Sequence, residues 1–179
     1  MNYRIFHRRQ AFAAVLGMTD GVLNSLTLAA GRLIEPGSGV SLSLALRVGV
    51  ASALAGGVVF FTAELAQRNS ELVHAEQQLN LASHGSLATT RLGHFVLVES
   101  AGATLTVVLS NFTGALAPLL VGMTLRGYVW TPIAFAVLLL GGLGILIAHV
   151  TFRRKSRWGI GMMLAGASLS LLGIWIHIV

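Results

Sequence analysis

Polar and charged residues in this chain gather into short bands, and long apolar stretches separate them. A helix needs about 20 apolar residues to cross the hydrocarbon of a bilayer. Five stretches reach that length, at about 11–33, 43–66, 95–123, 129–152 and 158–178. The pattern therefore predicts an all-α, polytopic membrane protein with five transmembrane helices, built as a single domain over residues 1–179. The first stretch follows Arg4, Arg8 and Arg9, as a signal peptide's apolar region would. It is too long for that role and carries a carboxylate, Asp20, at its middle.

The bands between the stretches differ. Residues 35–39 and Arg126-Gly127 have the character of tight turns, and residues 152–157 form a short basic connection. The band from Gln67 to Gly93 is longer. Its first half contains neither glycine nor proline and is rich in helix formers, so the second helix is expected to continue beyond the membrane to about residue 82. His84-Gly85-Ser86 would then break it.

Composition agrees with burial in lipid. Only 10% of the residues are charged and 55% are hydrophobic, with a mean hydropathy of +0.79. Soluble domains carry about 25% charged residues. The net charge of +6 comes from eleven arginines and one lysine set against six acids. These cations stand at helix ends, not in a stripe interleaved with aromatics, which argues against nucleic acid as a partner. Arg4, Arg8, Arg9, Arg68, Arg91, Arg153, Arg154, Lys155 and Arg157 fall on one side, and Arg32, Arg47 and Arg126 on the other. The richer side is expected to be cytoplasmic, with the N-terminus inside and the C-terminus outside. A prokaryotic plasma membrane is the expected location. The chain has no cysteine, which removes disulfides, thiolate metal sites and cysteine nucleophiles. No nucleophile elbow or zinc-protease motif is present, so no enzyme is expected.

With so few acids, each can be weighed. Asp20 stands about ten residues into the first helix, or roughly 15 Å from its start. An ionisable group at that depth costs several kcal/mol (roughly) unless it meets a partner, a cavity or a proton, and function is the default reading. The alternative is an Asp that hydrogen-bonds two helices together. Asn24 and Thr27 lie one and nearly two turns on, along the same stripe. Beside them run Gly17, Gly21 and Ser25, small residues that let another backbone come close, whether from this chain or from a second copy. Two facing copies would bring two Asp20 carboxylates together and attract a divalent cation. Oxygen ligands of this kind favour hard ions.

Glu64 lies near the inner end of the second helix, on one stripe with Arg68 and Glu71, and reads as either a salt bridge or a carboxylate at an inner mouth. Glu71 and His74 have a chelating i,i+3 spacing on the projecting segment, though a solvated face explains them as well. Glu99, near the inner end of the third helix, is either a second mouth carboxylate or a partner of Arg91 or Arg68. Ser110, Asn111 and Thr113 lie deeper and suit interhelical hydrogen bonds. The six histidines show no strong metal-ligand spacing.

Leu16-Gly17-Met18-Thr19-Asp20-Gly21-Val22-Leu23-Asn24-Ser25 resembles the first-helix signature of the vacuolar iron transporter family, approximately Gly-x-Asn-Asp-Gly. Phe61-Thr62-Ala63-Glu64 is similar to the end of that family's second helix. Gly114-Ala115-Leu116-Ala117-Pro118-Leu119-Leu120 is similar to its third-helix Gly-Ala-Leu-x-Pro-Leu. The chain has Thr19 where the family has Asn, Phe60 where it has Met, and only the Glu71-to-Glu76 segment where many members have a Glu-rich cytoplasmic domain. The resemblance implies a homodimeric, proton-coupled exporter of Fe2+ or Mn2+ from the cytosol. The path would be lined by the first helices, with Asp20 the central ligand, Asn24 beside it and Glu64 at the inner mouth. No permanently bound cofactor is expected, since the metal is the cargo. Two other readings stay open: a non-transporting membrane subunit that meets another protein through its projecting helix, and a transporter of another cation or small solute.

Overall fold

A computed structural model describes residues 2–32, 41–78, 91–124, 130–150 and 155–175. They form five helices in chain order: α1 Asn2–Arg32, α2 Leu42–Gln78, α3 Arg91–Thr124, α4 Thr131–Val150 and α5 Lys155–Trp175. A helix covers nearly all the described residues of each expected apolar stretch. Segments of α1, α2, α3 and α4 (Gln10–Ala30, Leu42–His74, Gly93–Thr124 and Thr131–His149) are long and apolar enough to cross a membrane. α1 begins well before its apolar stretch, so the arginine-bearing N-terminal residues continue the same helix. α2 runs unbroken through Gln78. At 1.5 Å per residue its 37 residues make a rod of about 55 Å, against about 30 Å of hydrocarbon. The turns expected at 35–39 and 126–127, the helix break at 84–86, and His84 and His177 lie outside the described residues.

Close backbone approach organises the bundle. α1 and α3 run parallel and share the most extensive contact. A side chain at Gly17 would collide with the Val107 backbone, one at Gly21 with the Asn111 carbonyl, and one at Gly114 with the Met18 carbonyl. The small-residue stripe of α1 is thus spent on α3 of the same chain, with Ser25 buried beside it. Of the two neighbours that the stripe Gly17, Gly21 and Ser25 could admit, the one it meets is α3 of the same chain.

α2 packs antiparallel on α3 and touches α1 sparingly, while α4 and α5 form an antiparallel hairpin against the opposite side of α1. Val15, Val22, Leu26 and Ala29 of α1 interlock with Ile133, Ala136, Leu140 and Leu143 of α4 to make the apolar core. Within the hairpin, Gly141 and Gly144 admit Met163 and Met162, whereas Gly142 faces open space. Leu54, Val58, Leu105, Leu109, Leu138 and Leu164 are exposed on the outside of the bundle. An apolar surface so extensive belongs in lipid, not in water.

Candidate functional site

The sparse contact between α1 and α2 leaves an open groove of about 590 Å³. Leu16, Leu23, Val59 and Phe60 give it apolar walls, and Asp20, Asn24 and Ser52 provide polar groups within it. Asp20 sits at the midpoint of the span Gln10–Ala30. The groove reaches along α2 as far as Ala63, with Ile147 of α4 also in its wall.

The polar groups form a ring that crosses three helices. Asn24 Nδ2 of α1 donates to Ser52 Oγ of α2 at 2.7 Å, and Ser52 Oγ donates to Asn111 Oδ1 of α3 at 2.7 Å. Asn111 Nδ2 donates to Asp20 Oδ2 at 2.6 Å, which returns the ring to α1 one turn from its start. Asn111 Nδ2 also lies 3.2 Å from the Ser52 carbonyl and donates to it. The direction of every bond follows from the carboxylate, which can only accept when ionised. Asn111 must then offer its amide nitrogen to Asp20 and its oxygen to Ser52. Ser52, having donated its proton, must accept from Asn24.

Gly56 makes this arrangement possible. A Cβ there would sit 2.9 Å from Asp20 Oδ2 and would press on Asn111 Nδ2. Its absence lets the α2 backbone close over the ring. Asn111 is fully buried. Among the described residues, no Lys, Arg or His pairs with Asp20, whose polar contact is the neutral amide of Asn111. Thr27, on the same stripe, turns its hydroxyl back to the Asn24 carbonyl at 2.9 Å and stays out of the ring.

A second polar cluster lies where α2 meets the N-terminal part of α3. Arg68 Nε reaches Glu64 Oε1 at 3.2 Å on its own helix, and Arg68 Nη2 lies 3.0 Å from Glu99 Oε1. The latter contact is an ion pair set off the line of a directed hydrogen bond, because the buried Nη2 has no well-aligned acceptor. All three side chains are largely covered. Glu64 stands two turns beyond Gly56, about 12 Å along α2, and directly follows the groove residue Ala63. Of the two arginine partners expected for Glu99, Arg68 is observed.

The accessory residues are not drawn together. Glu71 accepts a hydrogen bond from Gln67 Nε2 at 3.2 Å, and both Glu71 and His74 are exposed. Among the described residues no three His, Cys, Asp or Glu side chains converge on one point. His94 and His149 are exposed near helix ends. Ser52 and Gly56 belong to the site without any mark in the sequence. Both stand within a run of small and apolar residues, where a lone serine or glycine gives no signal until the facing helix is known. No family model, curated protein or solved structure matches this chain.

Proposed function

We propose that this protein carries cations across a prokaryotic plasma membrane, with Asp20 as the binding carboxylate. The observation that carries the proposal is Asp20 itself. It is a carboxylate at the centre of a membrane-length helix, facing a groove and held by a neutral amide instead of a built-in cation. Such a charge is costly in hydrocarbon unless an ion or proton accompanies it. In this reading five helices cross the bilayer, the N-terminus and the Arg68 end of α2 face the cytoplasm, and the C-terminus lies outside.

The resemblance to the vacuolar iron transporter family makes Fe2+ or Mn2+ the cargo, protons the counter-ion and a homodimer the working unit. Its three motifs contain Asp20, Glu64 and Pro118. Two features of the bundle support it. The α1 face bearing Asp20 and Asn24 borders an open groove that a second copy can cover. Glu64, the inner-mouth carboxylate of this scheme, adjoins the end of that groove. An incoming cation would meet Glu64 and Glu99 in competition with Arg68, then pass along the groove to Asp20 and Asn24.

The single carboxylate in the groove also supports a second reading, in which each protomer carries a monovalent cation. One negative charge with neutral oxygens suits a monovalent ion, whereas a divalent ion calls for the second carboxylate that a facing copy supplies. Flux through purified protein in vesicles separates the two. Mn(II) or Fe(II) uptake with opposite proton movement, lost in Asp20→Asn, is expected for the metal exporter. Flux of a monovalent cation alone, also Asp20-dependent, favours the second reading. Absence of any Asp20-dependent cation movement overturns both.

A further inference from the structure

We infer that Asn111 sets the affinity of the Asp20 site, acting through the carboxylate to keep a bound cation loosely enough held to leave. The inference rests on the reading of Asp20 as a cation ligand and adds a positioning residue from a third helix.

Asn111 is not part of the groove wall, and it is fully buried. It therefore meets the cargo only by way of Asp20. Its amide donates to Oδ2 at 2.6 Å, and a hydrogen bond to an ionised acceptor is stronger than one between neutral groups. In a low-dielectric interior such a bond is strong, and it stabilises the carboxylate when no cation is bound. A cation that draws on Oδ2 must compete with that amide, which lowers the net gain on binding. A desolvated carboxylate without this donor would hold a cation more firmly and release it more slowly.

The rest of the ring fixes the amide in place. Both hydrogens on Asn111 Nδ2 are committed, one to Asp20 Oδ2 and one to the Ser52 carbonyl. Its oxygen accepts from Ser52 Oγ, which in turn accepts from Asn24. Rotation of the amide would set an oxygen against the carboxylate, so the donor stays aimed at Asp20. Polarisation along the chain strengthens the last bond, so Ser52 contributes in the same direction at one remove.

The test uses Mn(II) as the probe, with binding followed by titration of the full chain in lipid nanodiscs and flux followed in vesicles. Asn111→Leu keeps the approximate shape and removes the donor. It is expected to bind Mn(II) about tenfold more tightly, the lower end of what one hydrogen bond to a charged group contributes. Maximal flux falls while KM also falls. Ser52→Ala is expected to shift binding by about two- to threefold in the same direction, as loss of polarisation implies. Adding Asp20→Asn abolishes binding in both backgrounds. A purely structural role for Asn111 would lower thermal stability without tightening binding. Unchanged or weaker Mn(II) binding in a folded Asn111→Leu protein overturns the inference. If Asn111→Leu does not fold, unchanged or weaker binding in Ser52→Ala does so instead. Wild-type protein with no Asp20-dependent Mn(II) binding removes the divalent-metal reading and this inference together.

Discussion

The molecule treats its half-buried acids in two different ways. At mid-membrane, Asp20 is held by a neutral amide, and a chain of hydroxyl and amide donors stands behind that bond. Where α2 meets α3, Glu64 and Glu99 share the guanidinium of Arg68. The second cluster has its counter-charge built in. Its energetics are those of an ion pair whose attraction is offset by desolvation. The first has oriented dipoles and no resident cation among the described residues, so its charge is available to an ion from outside. The difference supports the proposal that cargo binds at Asp20 and that the Arg68 cluster anchors the helices.

The largest effect expected from breaking this contrast comes at Asp20. Asp20→Asn leaves a side chain of the same shape and removes the charge, and cation binding and flux should disappear while the helices stay folded by circular dichroism. Next is Gly56→Ala. The added methyl meets Asp20 Oδ2 and Asn111 Nδ2, so α2 must shift and the ring must distort. Overpacking of this kind costs about 1–3 kcal/mol, and a thermal melt should show it together with reduced flux. At the other cluster, Arg68→Gln takes the shared cation from two carboxylates. Stability should fall by about 1–3 kcal/mol, between the values for exposed and buried pairs. Flux should persist, and Mn(II) should gain a second, weaker site that Glu99→Gln removes. The smallest effect is expected on the exposed end of α2. Glu71→Gln and His74→Ala should change stability by less than about 0.5 kcal/mol and leave flux unaltered.

Much of the fold is legible in the sequence. Helix number and approximate span follow from the length of the apolar stretches, because only a helix satisfies its own backbone in lipid. Asp20 stood out because a carboxylate in an apolar run demands an explanation. The Glu64–Arg68 pair follows from i,i+4 spacing alone.

What remained hidden depends on the register between helices. Asn111 reads as an ordinary interhelical hydrogen-bonding residue, and it is one. Its partner depends on the register that sets α3 beside α1 at the level of Gly21. Ser52 and Gly56 carry no signal within their own helix, since their role exists only opposite Asp20 and Asn111. The glycine stripe of α1 announced close packing correctly but not its recipient, because the sequence pattern is the same whether the neighbouring backbone belongs to this chain or to another.

Anomalous diffraction from crystals soaked in Mn(II) tests the central claim most directly. A peak in the groove at bonding distance from the Asp20 carboxylate, absent in Asp20→Asn, is the predicted result. Manganese found solely beside Glu64, Glu99 or the exposed Glu71 and His74, with the groove empty, would contradict it.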